Sequence, residues 1–147
     1  MKTFESITGF KPHTYKGRII TFGLTEDENN FLKILFHSKD IEIYDADIAS
    51  DLVALFATAI VVNATKLEVD DFALLENYYK EVGTEADEIV FWLGSPKPAI
   101  ELQLLFKCFD SFEEMVPTIT KMLNTKILKE HDNGTLFSFK THRKNSC

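Results

Sequence analysis

The chain has 147 residues, a common size for one domain, and its 45% hydrophobic and 12% aromatic content is enough for a single buried core. Twenty-three acidic against sixteen basic residues give a net charge of −7, which favours solubility and repels phosphate backbones, so nucleic acid is an unfavoured partner. No run reaches the ~18 apolar residues of a membrane span, and MKTFESITGF lacks the apolar stretch of a signal peptide, so the expectation is a cytoplasmic protein with no membrane association.

Residues 1–17 are polar and punctuated by Gly9, Pro12 and Gly17, and read as an irregular arm. The β-branched run Arg18 to Leu24 predicts a first strand. Thr25-Glu-Asp-Glu28 then forms a capping box, with Phe31, Leu32, Leu35 and Phe36 at helical spacing behind it. Ile41 to Tyr44 alternates as a strand does, Asp45 or Asp47 can cap the next helix, and Ile48, Leu52, Val53, Leu55 and Phe56 make the stripe of that second helix. Thr58 to Asn63 is almost continuously apolar, which predicts a strand covered on both faces and therefore the centre of the sheet.

A third helix is predicted from about Lys66 to Val82, with Leu67, Phe72, Leu75, Tyr79 and Val82 inward and Gly83 at its left-handed C-terminal cap. Glu88 to Leu93 is the fourth strand. The two prolines in Gly94-Ser-Pro-Lys-Pro98 force a loop after it, leaving at most two helical turns between Ala99 and Leu105. A fifth strand is predicted over Leu104 to Cys108, and Ser111-Phe-Glu-Glu114 opens a last helix carrying Met115, Ile119, Met122, Leu123 and Ile127. Pro117 lies beyond the first turn, so a kink or a late start is expected there.

These signals divide the chain into an arm (1–17), an α/β domain (18–130) and a tail (131–147) that is either an edge strand through Leu136 to Phe139 or disordered. Cys108 and Cys147 fit neither a disulfide framework nor a zinc motif, and the sequons at Asn63 and Asn133 have no meaning without secretion. Five strand-helix units predict a flavodoxin-like, doubly wound parallel sheet in the order 2-1-3-4-5, a three-layer α/β/α sandwich whose fourth helix is short or absent. Ligands of such sheets lie beyond the carboxyl ends of strands one and three. The candidate pocket is therefore Gly23, Thr25, Asn63 and Thr65, bordered by Ser95 and Lys107.

The stretch Phe106-Lys-Cys-Phe-Asp-Ser-Phe-Glu-Glu-Met115 resembles a segment of two-component receiver domains, in which a lysine ends strand five and a short acidic-hydrophobic run opens the last helix. The order and spacing of elements agree from Arg18 to Lys129. The resemblance implies two acids after strand one that hold magnesium, an aspartate ending strand three that accepts a phosphoryl group, a Ser or Thr after strand four, and the lysine. Only the lysine matches, as Lys107. The acid pair falls on Gly23 and Leu24, the acceptor on Asn63, and the hydroxyl on Gly94, with Ser95 one place late. An amide is neither a carboxylate nucleophile nor a hard anionic ligand, so the resemblance is to a degenerate receiver that lacks the phosphoacceptor.

Other chemistries have less support. Three acids after strand one stand where a flavin phosphate would sit, Gly94-Ser-Pro-Lys-Pro98 is not a P-loop, and His13, His37, His131 and His142 are scattered, so no cofactor, metal or catalytic residue is assigned. Glu26 and Asp27 read as first-turn acids on the helix dipole. Two functional classes remain. The first is a non-enzymatic signalling or interaction module with a protein partner or a second copy of itself, docking through Ile100, Leu102 and Leu105. The alternative is a small-molecule-binding protein or enzyme using the pocket at the strand ends. The lack of convergent acids, histidines or a glycine loop favours the first.

Overall fold

The computed structural model describes residues 15–132. The strands β1 (Gly17–Phe22), β2 (Ile41–Asp45), β3 (Ala59–Asn63), β4 (Ile89–Leu93) and β5 (Lys107–Phe109) form one parallel sheet in the order β2-β1-β3-β4-β5. The helices are α1 (Glu26–Phe36), α2 (Asp51–Ala54), α3 (Val69–Val82), α4 (Ile100–Gln103) and α5 (Phe112–Asp132). This is the flavodoxin-like, doubly wound topology that the alternation of strands and helices predicts.

Strand alternation builds two cores. Ile19, Ala59, Val61, Phe91 and Leu93 face α1 and α5, where Leu32, Phe36, Met115, Ile119 and Leu123 meet them. Ile20, Ile60, Val62, Val90 and Trp92 face the other way, against Leu52 of α2, Leu75 and Tyr79 of α3, and Leu102 of α4. The segment from Thr58 to Val62 is at most 1% exposed, as expected of the central strand. Each fully buried Leu, Ile or Phe here contributes roughly 1.5–3 kcal/mol of transfer free energy.

The local signals at α1 act as expected. Thr25 Oγ1 accepts from the Glu28 amide at 3.1 Å while Glu28 Oε1 accepts from the Thr25 amide at 2.9 Å, closing the capping box. Replacing Thr25 with alanine is expected to cost about 1 kcal/mol, read as a lower denaturant midpoint with an unchanged slope. Behind the cap lies a polar contact that periodicity does not reveal. Asn29 is buried in α1, its Oδ1 accepting from Thr21 Oγ1 at 2.7 Å and its Nδ2 donating to the Thr25 carbonyl at 3.2 Å.

Several boundaries differ from expectation, among them the start of α3, at Val69 rather than Lys66. The second helix is one turn, Asp51–Ala54, preceded by Ser50 without a side-chain cap rather than by Asp45 or Asp47. The chain is already extended at Leu55 because Thr58 must reach β1, where its amide donates to the Arg18 carbonyl at 2.8 Å and its Oγ1 accepts from the Arg18 amide at 3.2 Å. The fifth strand begins at Lys107, not at Leu104, because the amides of Leu105 and Phe106 both fold back onto the Leu102 carbonyl at 2.9 Å. The last helix starts at Phe112 and continues through Pro117, so the late start is not found. The amino-terminal arm and the Leu136 to Phe139 segment lie outside the described residues.

Candidate functional site

The carboxyl ends of β1 and β3 bring Gly23, Asn63 and Thr65 together. Asn63 Nδ2 donates to the Gly23 carbonyl at 3.1 Å, and Asn63 Oδ1 accepts from the Thr65 amide at 3.2 Å and from Thr65 Oγ1 at 2.7 Å. The amide thus staples the end of β3 to the turn after β1 through its donor and to the Ala64–Lys66 helical turn through its acceptor. A carboxylate at this position would place an anion against the Gly23 carbonyl and forfeit the donor.

Gly23 has φ +82°, in the left-handed region that side chains disfavour, and a Cβ there would lie 2.9 Å from both Cβ and Cγ of Lys66 and 3.1 Å from Asn63 Cβ. The stem of Lys66 therefore occupies the space into which the first of a metal-binding acid pair would project. Gly94, after β4, has φ +79°, and a Cβ on it would come within 3.2 Å of Thr65 Cγ2. Glycines at both strand ends let the Asn63–Thr65 turn close over the crevice.

The remaining candidate residues are not drawn into this cluster. Thr25 is spent on the helix cap, and Ser95 is exposed in the loop before Pro96, to which it is joined by a cis peptide bond. Lys107 is exposed and pairs with Phe91, two residues upstream of the row formed by Asn63, Leu93 and Phe109. It is the first residue of β5, whereas the receiver-like reading puts the lysine at the strand's end. Among the described residues, no group of three or more His, Cys, Asp or Glu side chains converges to hold a metal ion. Burial pushes the Cys108 thiol up from its ordinary value against a smaller lowering by Lys97, which leaves it a poor nucleophile at neutral pH.

The expected docking patch requires a correction. Leu102 is 1% exposed and packs into the core, because the turn of α4 aims it at Trp92 and Phe106 rather than at solvent. Leu105 is half-buried against the same cluster. Ile100 at 79% and Leu104 at 86% are the exposed apolar side chains of this segment. Proline spacing showed that α4 would be short, but not which way its single turn would face. The sequence reading also missed a buried pair beneath it: Tyr79 Oη donates to Glu88 Oε2 at 2.7 Å, with both residues nearly inaccessible.

The strand order and the two-sided helix layers define the class: a flavodoxin-like, doubly wound α/β domain with asparagine at the end of β3. No protein-family model and no curated protein matches the chain. Among solved structures, the NMR structure of the pseudo-receiver domain of the CikA protein is similar at 15% identity and a TM-score of 0.47, covering 73% of this chain and 96% of that one. A fusion carrying a trimeric coiled coil of yeast Spc42 is similar at 12% identity and a TM-score of 0.50, covering 91% of each chain. At such identities the likeness concerns the fold. No helix among the described residues is long and apolar enough to cross a membrane.

Proposed function

We propose that this chain is a non-enzymatic, receiver-like interaction module of the cytoplasm that is not phosphorylated and works by binding a protein, a second copy of itself being the occupant open to immediate test. The observation that carries the reading is the state of Asn63, whose amide is engaged at both ends, beside a glycine over which the Lys66 stem is packed. That arrangement supplies neither a nucleophile nor an anionic metal cradle. The same packing argues against a small-molecule site at the ends of β1 and β3.

The docking side in this reading is the α4–β5 edge. Ile100 and Leu104 stand exposed on a one-turn helix, next to a three-residue edge strand whose outer backbone edge is open to pairing among the described residues. Sedimentation equilibrium of the full chain tests it. Self-association is expected at about tens of micromolar, and an Ile100→Ser/Leu104→Ser double variant with unchanged melting temperature is expected to be monomeric. A wild-type chain that stays monomeric, or a variant that associates equally, removes self-association from the reading.

A further inference from the structure

Two features of the chain meet at the end of the sheet where β4 and β5 begin, opposite the crevice at the ends of β1 and β3. The first is an open cavity of about 270 Å³ between the end of α3 and the turn that enters β5, lined among others by Tyr79, Ala86, Glu88, Leu104, Leu105 and Phe106. Its cover is thin because the prolines of the 94–98 loop leave α4 one turn long, and Leu104 beside that turn is 86% exposed. Glu88 is satisfied within the chain by the 2.7 Å bond from Tyr79 Oη, so the cavity calls for no charged ligand. Its walls combine polar and apolar groups, which suits a peptide, since amides and side chains offer both.

The second feature is the course of the chain out of α5. Lys126 Nζ donates to the Asp87 carbonyl, and Asp87 stands between Ala86 and Glu88 of the cavity wall. From there α5 runs on to Asp132, about 9 Å further. Residues 133–147 lie outside the described residues, and their apolar side chains are Leu136, Phe137 and Phe139. Phe137 and Phe139 follow Asp132 by an extended reach of about 17 and 24 Å, enough to return along the helix end and one lysine side chain to the 86–88 turn. Chirality disfavours the edge strand expected of this segment. The crossovers that step toward β5 carry α2, α3 and α4 on one face, and the β1 to β2 crossover, stepping the other way, carries α1 on the opposite face. Because α5 lies on the α1 face, a parallel strand added beyond β5 would complete a left-handed crossover, whereas about 98% are right-handed.

We propose that residues 136–139 dock into this cavity of their own chain. Phe137 and Phe139, which an extended segment places on one side, would lie against Leu104, Leu105 and Phe106. Residues 133–147 also carry Lys140, Arg143 and Lys144 and no acid, in a chain of net charge −7, so the field of the domain draws this segment inward. The docking shares Leu104 with the self-association proposed above but needs no second copy and leaves Ile100 and the β5 edge uncovered, so dilution tells the two apart.

The test uses the full chain, followed by amide hydrogen exchange and chemical shifts at neutral pH. The amides of residues 136–139 are expected to exchange at least about tenfold more slowly than those of an unstructured peptide, and to keep that protection on about tenfold dilution. Phe137→Ser/Phe139→Ser, which alters only the docking segment, should abolish the protection and shift resonances centred on residues 83–88 and 104–106, while those of Gly23 and Asn63 stay in place. Ala86→Leu adds bulk to the cavity wall and should also release the segment. Exchange of residues 136–139 at the unstructured rate, protection lost on dilution, shifts centred instead on the edge strands at 107–109 or 41–45, or protection indifferent to Ala86→Leu in a folded protein would each overturn the proposal. Should Ala86→Leu fail to fold, the Phe137→Ser/Phe139→Ser variant decides alone.

Discussion

Replacing Gly23 with alanine is expected to destabilise the protein by about 2–4 kcal/mol, a fall of roughly 10 °C in melting temperature for a domain of this size. Two penalties add. The φ of +82° is strained for any side chain, and the new Cβ would overlap the Cβ and Cγ of Lys66 at 2.9 Å. Those atoms belong to the fixed stem of the lysine, so rotation of its outer methylenes gives no relief. Gly83, at φ +56° and ψ −135°, also has a backbone that side chains disfavour, but nothing lies within 4 Å of an added Cβ, so the cost of Gly83→Ala is conformational alone. A cost below about 1 kcal/mol for Gly23→Ala, measured by thermal unfolding, would show that the crevice is not closed by Lys66.

Trp92→Ala is expected to have a still larger effect, about 3–5 kcal/mol, which approaches the whole stability of many single domains. The indole is 1% exposed, stacks on Phe106 at 5.6 Å, and receives the edge of Phe72 at 5.6 Å. Its Nε1 donates to the Pro96 carbonyl at 2.9 Å, which ties the proline loop to the core. The same loop is anchored to α3 by the Ala99 amide, which donates to Glu76 Oε2 at 2.7 Å. Trp92→Phe retains much of the ring packing and should cost less, about 1–2 kcal/mol, from the lost hydrogen bond and reduced volume. Since Trp92 is the chain's one tryptophan, circular dichroism rather than fluorescence has to follow these variants. A cost below about 1 kcal/mol for Trp92→Ala would mean that the α4 side is not packed as described.

The parts of this fold legible in the sequence are those written in local patterns. Apolar Ala59 to Val62 announced a central strand, and Thr25 with Glu28 announced the start of α1, because period and capping chemistry act over a few residues. The misread parts were decided by distant partners. Leu55 and Phe56 have the spacing of a helix stripe, but the reach of Thr58 to Arg18 pulls the chain straight. Leu102 has an exposed-looking context, and only the direction of one helical turn buries it. At the candidate site the sequence identified Asn63 as the departure that matters. It could not indicate that Lys66 lies over Gly23, a contact between residues far apart in the chain that depends on the two strand ends meeting. The Tyr79–Glu88 pair was hidden for the same reason: Tyr79 fits the apolar stripe of α3, and Glu88 looks like the polar lead-in to a strand.

We propose that the crevice at the ends of β1 and β3 is closed to phosphotransfer. The most direct test is the intact mass of the full chain after incubation with acetyl phosphate and magnesium, alongside Asn63→Asp. Both proteins are expected to keep their starting mass, since the restored carboxylate would still lack the acid pair at positions 23 and 24 and would face the Gly23 carbonyl in place of the amide donor at 3.1 Å. Stoichiometric gain of one phosphoryl group by the wild-type chain, or by Asn63→Asp at residue 63, would contradict the account.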